Sequence, residues 1–459
     1  MTSNPIDKSI YIFHRSLRLY DNIGLIECLK NSSSVIPVFI FTPEQITRNK
    51  YKSLRAIEFM KGSLNDLNKE LIKYKSKLYI FYGKQDKTIC KLLKEDKSIT
   101  GVYFNKEYTK YGTDREKSIK KVCMDNKVGC VSVSDYLLHV ENKISNSTGK
   151  YYSKFTPYYN KISKFSPPSP INNKYNNYIS SSYKFKLPCY DFKFTIINNF
   201  IPTRKEALRR LKNVTKHKKY NDNRNNLSLE TTQLSPYIKF GLLSIREVYH
   251  YIKKIFGRSH DLIRQLYWRE FYFTIAINNP NIFIGKSMKP LYDNIIWNKT
   301  SFSKWKKGNT GFPIVDAGMR ELNNTGYMHN RSRLITSNFL IKVLGIDWRL
   351  GEKYYATKLI DYDPSINNGN WQWSSGSGAD SQPYFRIFNP WLQSKKNDKD
   401  CIYIKKWVPE LIGVEPKDIH KWYDYHNKYN INYPKPCVDY NKKAKETIKR
   451  YKKIYNKKI

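Results

Sequence analysis

Leu359-Ile360-Asp361-Tyr362-Asp363-Pro364-Ser365-Ile366-Asn367-Asn368-Gly369-Asn370-Trp371-Gln372-Trp373 decides how this chain is read. Two carboxylates, four side-chain amides, a proline and two tryptophans share fifteen residues. No amphipathic period fits them, so the stretch is predicted as a long, ordered loop rather than a core helix. So polar a loop persists inside a domain when a fixed partner satisfies its donors and acceptors. A polar heterocycle would do that. A surface loop with two incidental tryptophans is the plainer alternative, disfavoured because paired exposed indoles are unusual.

Working outward, Ser374-Ser375-Gly376-Ser377-Gly378-Ala379-Asp380 is small and flexible, and Tyr384-Phe385-Arg386-Ile387-Phe388-Asn389-Pro390 follows, with Gln393 just beyond. Together these runs closely resemble the flavin-binding signature of the photolyase/cryptochrome family. They are most similar to the class I photolyases that repair cyclobutane pyrimidine dimers. The resemblance extends from the N-terminus to about residue 411, with a poorly matched stretch in the middle. It implies FAD as cofactor, with Asp361, Tyr362, Asp363 and Asn367 beside it and Asn367 facing flavin N5. It also implies that Trp373 stacks on the flipped dimer and that Arg386 and Gln393 contact DNA.

At 459 residues, two or three domains are expected. Lys plus Arg number 82 against 39 Asp plus Glu, a formal charge of +43. Such an excess favours a polyanionic partner, nucleic acid first. Lysine-, asparagine- and tyrosine-rich composition inflates the charge but does not explain the scarcity of acids. Cys28, Cys90, Cys123, Cys130, Cys189, Cys401 and Cys437 are scattered without a CxxC pair, so no zinc or iron–sulfur site is expected. Neither a signal peptide nor an apolar run of ~20 residues occurs. An intracellular, soluble, monomeric protein is expected, in cytoplasm or nucleus or virus-encoded.

Five apolar runs punctuate the first 135 residues: Ser9–Phe13, Val35–Phe41, Lys77–Tyr82, Gly101–Phe104 and Cys130–Val133. The spacing leaves one helix between strands and argues a five-stranded parallel, Rossmann-like sheet. No GxGxxG follows the first run. His14-Arg15-Ser16-Leu17-Arg18 resembles the family's opening motif, with Ser16 where an Asp is usual; by themselves Arg15 and Arg18 read as solvated charge. The family's second, light-harvesting chromophore belongs in this domain. A folate, a deazaflavin, a second flavin and an empty site all stay open, since Thr109 stands where folate users place an acid and Glu107 is out of register. Residues 139–202, rich in Asn, Ser, Tyr, Lys and Pro, read as a connector that wraps or dangles. Later segments are helical, Thr203–Lys212 among them, and Ser244 with Glu247 forms a predicted capping box. Residues 412–459 read as a basic tail, a frayed helix.

Four constellations carry chemistry. Thr231-Thr232-Gln233-Leu234-Ser235 offers hydroxyls and amides at a turn into a helix. By resemblance it is the diphosphate clamp, with Gln233 where Arg is normal, Tyr220 near the adenine and Arg224 on DNA. Gln265, Trp268 and Arg269 fall on one helix face, where an amide and a ring could read and stack a base; the family match places Arg269 at the cofactor. Gln265 stands where class I dimer photolyases have Glu; Gln there is typical of the (6-4) branch. Asn330, Arg331, Arg333 and Leu334 follow Met328-His329. By resemblance Arg333 pairs with Asp361 over the isoalloxazine and the others meet DNA. The (6-4) enzymes have histidines in place of Asn330 and Leu334, and His329 is off by one. Finally Trp305, Trp348 and Trp371 match the family's electron-transfer chain from the surface to the flavin.

The expected architecture is therefore an α/β antenna-binding domain (1–138), the connector (139–202), an all-α FAD- and DNA-binding domain (203–411) and the tail (412–459). The expected activity is light-dependent splitting of pyrimidine dimers in UV-damaged DNA by electron transfer from reduced FAD. A (6-4) photolyase and a cryptochrome photoreceptor are the alternatives.

Overall fold

The computed structural model describes residues 6–139, 145–146, 148–195, 200–298, 301–381, 383 and 385–456; Tyr384 and residues 457–459 of the tail lie outside these. The chain divides into two compact units, one of residues 1–152, 156–216 and 232–277, the other of residues 153–155, 217–231 and 278–459.

In the first unit all five apolar runs are strands: β1 (Ile6–Phe13), β2 (Ser32–Phe41), β3 (Tyr79–Tyr82), β4 (Ile99–Asn105) and β5 (Gly129–Val133). They form one parallel sheet in the order β3-β2-β1-β4-β5. Ile10 and Ile12 face Ile36, Val38, Val102 and Phe104 in one core, while Tyr11 and Phe13 are buried on the opposite face. Helices on both faces account for the unbroken apolar runs. The connector wraps. Tyr178 bridges to Val35, Tyr190 N–H donates to the Ile80 carbonyl at 2.6 Å, and Tyr183, Phe185 and Leu187 pack on the sheet core.

Arg18 is not a solvated strand-end charge. It is buried and donates to Asp135 at 2.8 Å, while Arg246 spans Asp135 (2.7 Å) and Asp21 (3.1 Å), and Ser16 adds a hydroxyl to Asp135 at 2.7 Å. Buried charges of this kind persist only in such fully hydrogen-bonded sets. Ser244 caps the helix Ile245–Phe256 as expected, accepting from Glu247 N–H at 2.9 Å. The capping box is not completed, because the Glu247 carboxylate is engaged by both terminal nitrogens of Arg204 at 2.7 Å, a stronger bidentate pairing.

The second unit is helical among its described residues, and here the opening stretch departs from expectation. Pro364–Ser375 is a helix, not a loop. Asp363 caps it by accepting from Ser365 and Ile366 N–H, and Pro364 suits the first helical position. Periodicity is blind to this helix because nearly every side of it is buried. Its amides are satisfied internally: Asn368 donates to the Ile282 carbonyl, and Gln372 donates to Asn368 at 2.9 Å and accepts from Met288 N–H at 2.8 Å. The protein, rather than a ligand, satisfies most of this polarity.

The C-terminal segment is likewise not frayed. Val414, Ile419 and Trp422 join the main core, and helix Tyr440–Asn456 buries Tyr451 and Thr447. Tyr451 donates to the Ser375 carbonyl at 2.9 Å, and Thr447 donates to the Lys342 carbonyl at 2.7 Å. Lys342 lies in a π-turn, Phe339–Val343; its ammonium sits 3.6 Å from the Tyr451 ring centre and donates to the Ser375 carbonyl. Burial pulls its pKa down to about 7.

Candidate functional site

Asp361, just before the capped helix, receives a hydrogen bond from Arg333 at 2.9 Å, and its side chain is buried. Arg333 also donates through Nε to the Met328 carbonyl and lies over the Tyr327 ring. Among the described residues its remaining terminal nitrogen makes no bond, which leaves one donor for a ligand. Asn367, one turn into the helix, spends its amide nitrogen on the Glu352 carbonyl and carboxyl, both at 3.2 Å. Its oxygen is the acceptor left over, matching a ligand N–H. Tyr362 reaches Glu352 only at 3.5 Å. Burial pushes the Glu352 carboxyl up to about 7, against smaller opposing contributions from Asn367 and Tyr362.

A carboxyl whose folded pKa is raised favours folding while it is protonated. The contribution of Glu352 is therefore complete below about pH 4.5 and lost as pH rises through 7. We expect Glu352→Gln to remove on the order of 1–3 kcal/mol of the stability lost between those values, seen as a flatter decline of Tm with pH. Parallel Tm–pH curves for variant and parent would contradict this.

Trp371 lies edge-on to Tyr355 (4.9 Å) and Trp305 (6.2 Å), and Trp305 stacks on Tyr355. A Cβ on Gly351 would run into the Trp371 ring, so glycine there admits the indole. Trp305, Trp348 and Trp371 are 0, 1 and 2 % exposed, so none of the three reaches the surface as the expected chain requires. Sequence reasoning missed Trp297. It is half-buried, packs on the same core, and is followed by Asn298, whose N–H donates to the Gly345 carbonyl at 2.7 Å, three residues before Trp348. Its signal was slight: an indole closing an Ile-Ile pair in a polar stretch.

The expected DNA contacts of this unit are all half-buried or exposed. Trp373 and Leu334 are half-buried, Asn330, Arg224 and Arg386 are exposed, and Arg331 is braced by Asn225 at 2.6 Å. Phe385, beside Arg386, is 61 % exposed. Gln393 is half-buried too, and its side-chain oxygen accepts from Asn397 at 3.1 Å. His329 caps its own helix, accepting at Nδ1 from Arg331 N–H, and burial lowers its pKa to about 4.

In the first unit, helix Asp261–Asn278 carries Gln265, Trp268 and Arg269. Trp268 lies against Tyr272 and Phe271. The buried Gln265 Nε2 makes no bond among the described residues. Arg269 donates through one terminal nitrogen to the Tyr136 carbonyl and is stacked between Tyr136 and Phe273, while its other terminal nitrogen is buried without a hydrogen bond among the described residues. In the loop Thr232–Leu234, Gln233 takes the left-handed conformation (φ 49°) and accepts from Arg210 at 2.6 Å. A guanidinium thus reaches this loop from another helix. Thr232 is half-buried, Leu234 buried, and Ser235 opens a five-residue helix. In the second unit, Thr231 shares a hydrogen bond with Tyr327 at 3.0 Å, and Tyr220 is half-buried. At the carboxyl ends of β1 and β4, His14 contacts Gln85, and Glu107 is held by Arg15 and Arg115. Thr109 caps the following helix.

Within the second unit, the leftover acceptor on Asn367 and donor on Arg333 fit the polar edge of a flavin; within the first, the unused Gln265 donor fits a base-like ligand. Among the described residues no group of His, Cys, Asp and Glu could hold a metal, and no helix is long and apolar enough to cross a membrane.

Comparison with known proteins shows the class to which this architecture and these unused polar groups belong. Residues 262–453 match the FAD binding domain of DNA photolyase, and residues 9–173 match the DNA photolyase domain. A deoxyribodipyrimidine photo-lyase of Buchnera aphidicola (subsp. Baizongia pistaciae) is 36% identical, over 95% of this chain and 96% of its own. That of Escherichia coli is 30% identical over 96% and 97%. An archaeal photolyase from Sulfolobus tokodaii, solved with two FAD molecules, superposes with a TM-score of 0.88 at 38% identity, covering 97% of this chain and all of that one. The chain belongs to the DNA photolyase family.

Proposed function

We propose that this protein splits cyclobutane pyrimidine dimers in UV-damaged DNA under blue light. The observation that carries the lesion assignment is His329. It is neutral, buried and spent on its helix cap, and Asn330 and Leu334 cannot donate a proton. Repair of a (6-4) adduct needs an acid to move a hydroxyl; opening a cyclobutane ring needs no net proton transfer. When bound, reduced FAD supplies the light-driven electron that opens the ring and accepts it back.

The protein's own residues bind and orient. Arg333 and Asp361 hold the isoalloxazine, with Tyr362 and Asp363 flanking. Asn367 offers its oxygen to N5–H without placing a carboxylate beside the reduced ring. Thr231, Thr232, Leu234 and Ser235 take the diphosphate, with Arg210 supplying through Gln233 the charge the clamp otherwise lacks, and Tyr220 meets the adenine. Gln265 donates to a pyrimidine carbonyl at any pH, where a Glu would first need protonation. Trp268 and Trp373 stack on the dimer. Arg224, Asn330, Arg331 and Arg386 grip the backbone, and Phe385 is shaped as a wedge to hold the duplex open. Electrons for flavin reduction travel through Trp371, Trp348 and Trp297, with Trp305 as a side branch. A second chromophore at the carboxyl ends of β1 and β4 serves as antenna; the Sulfolobus relative favours a flavin over a folate or deazaflavin.

Blue-light repair of two oligonucleotides, one with each photoproduct, tests the assignment. Dimer reversal alone is expected, and exclusive (6-4) repair would overturn it. In the same assay Trp373→Ala should weaken dimer-DNA binding by ~1–3 kcal/mol, the worth of one stacked base, with undamaged-DNA affinity unchanged.

A further inference from the structure

Tyr354 and Tyr355 are neighbours on helix Trp348–Lys358, and both meet Trp305. Between ring centres, Trp305 lies 6.2 Å from Trp371, stacks on Tyr355 at 6.0 Å and stands 5.7 Å from Tyr354. Tyr355 is itself 4.9 Å from Trp371. An unbroken run of aromatic contacts therefore leads from the helix that carries Asn367 out to Tyr354, which is half-buried. Short ring-to-ring steps of this kind are the ones along which an electron moves readily.

The three outer rings differ in what they can do with a proton. An oxidised indole or phenol that keeps its proton is a cation, and a buried cation without a partner is costly. Trp305 is fully buried, and its Nε1–H donates to the Thr336 carbonyl at 3.0 Å, an oxygen that does not take the proton away. Tyr355 is buried too; its hydroxyl is shared with Thr336 and lies 3.5 Å from the Met328 sulfur, and burial pushes its phenol up. Neither ring reaches solvent. Tyr354 is the outermost of the three. Its hydroxyl donates to Asn323 Oδ1 at 2.7 Å, beside the Lys306 carbonyl at 3.0 Å, and Asn323 is half-buried as well. The Lys358 ammonium lies 5.5 Å from the Tyr354 ring centre. Its charge opposes a tyrosine radical cation and so favours release of the proton, whereas it leaves a neutral radical alone.

We infer that Trp305 opens a second electron route, which ends at Tyr354 as a neutral tyrosyl radical. The inference rests on the proposed entry of electrons at Trp371. After Trp371 has given an electron to the photoexcited flavin, Trp305 refills it, directly or across Tyr355, and Tyr354 refills Trp305. Tyr354 then gives its phenolic proton to solvent water. One electron has moved from Tyr354 to the flavin, one O–H bond is broken, water holds the proton, and both indoles are neutral again. Loss of the proton slows the return of the electron, so Tyr354 stores a separated charge that a buried indole would not hold. The route through Trp348 and Trp297 stays open beside it.

The test is laser-flash absorption on the flavin-loaded protein, with electron paramagnetic resonance on samples frozen under light. Trp348→Phe closes the other route; Trp297→Phe closes it at a half-buried position and serves if the first variant does not fold. In either variant photoreduction should stay within about tenfold of the parent, and the long-lived oxidised species should carry the spectrum of a neutral tyrosyl radical. Adding Tyr354→Phe keeps the ring and its packing but removes the proton that is lost. The tyrosyl signal should then vanish and photoreduction should fall by about tenfold or more again, with flavin content and circular dichroism unchanged. A tyrosyl signal that survives Tyr354→Phe would overturn the inference. So would a Trp348→Phe protein that photoreduces no faster than Trp348→Phe/Tyr354→Phe. Normal photoreduction in Trp371→Phe would instead refute electron entry at Trp371, and this route with it.

Discussion

Trp371→Phe should leave the bound flavin unable to be photoreduced, while repair by chemically reduced protein survives. Trp371 is the tryptophan on the same helix as Asn367, one turn away, and its ring is packed by Tyr355, Trp305 and the backbone at Gly351. A phenyl ring keeps most of that packing but is much harder to oxidise than indole. An added barrier of only about 3 kcal/mol lowers a rate about a hundredfold. Flash photolysis should therefore show no tryptophan radical and a photoreduction rate down by two orders of magnitude or more, with flavin content unchanged. Dimer repair after dithionite reduction should match the parent, because repair draws on an electron already stored. Equal loss of repair in the pre-reduced variant would place Trp371 in substrate binding instead.

Asp361→Ala should yield protein that loses its flavin on desalting. Removing one partner of a buried ion pair strands the other; the cost is about 3–5 kcal/mol. Arg333 would then hold a charge balanced only by the Met328 carbonyl and the Tyr327 ring. If the pair serves the flavin, most of that cost appears as weaker binding, between about a hundredfold and a few thousandfold. Flavin-to-protein ratio after gel filtration, read beside the Tm of flavin-free parent and variant, separates the two. Full flavin retention with a lowered Tm would make Arg333–Asp361 a purely structural bridge.

Much of this was legible in the sequence, for reasons that differ by element. The five strands announced themselves because a sheet covered on both faces demands apolar residues at every position. The Arg333–Asp361 pair, 28 residues apart on separate elements, was readable only through the family resemblance, whereas the off-register His329 was readable because helical spacing fixes which residues share a face. Helix 364–375 was not readable. A helix buried all round, with its amides bonded to neighbouring backbone, has no stripe for periodicity to detect. The fate of Glu247 was equally hidden, since its competitor Arg204 is distant in sequence. The partial burial of Trp297 and the complete burial of Trp305 are tertiary facts: two indoles eight residues apart, in similarly polar surroundings, ended at different depths. The Tyr136 carbonyl under Arg269 is likewise distant in sequence and foretold by no local pattern.

The closure of Tyr451 and Thr447 on Ser375 and Lys342 bears on how far local damage would spread. Helix 440–456 covers the π-turn and the end of the helix that carries Asn367 and Trp371. A single protease cut just ahead of residue 440 would free that cover, uncovering Lys342 and Ser375 together, and so loosen a helix about seventy residues away in sequence.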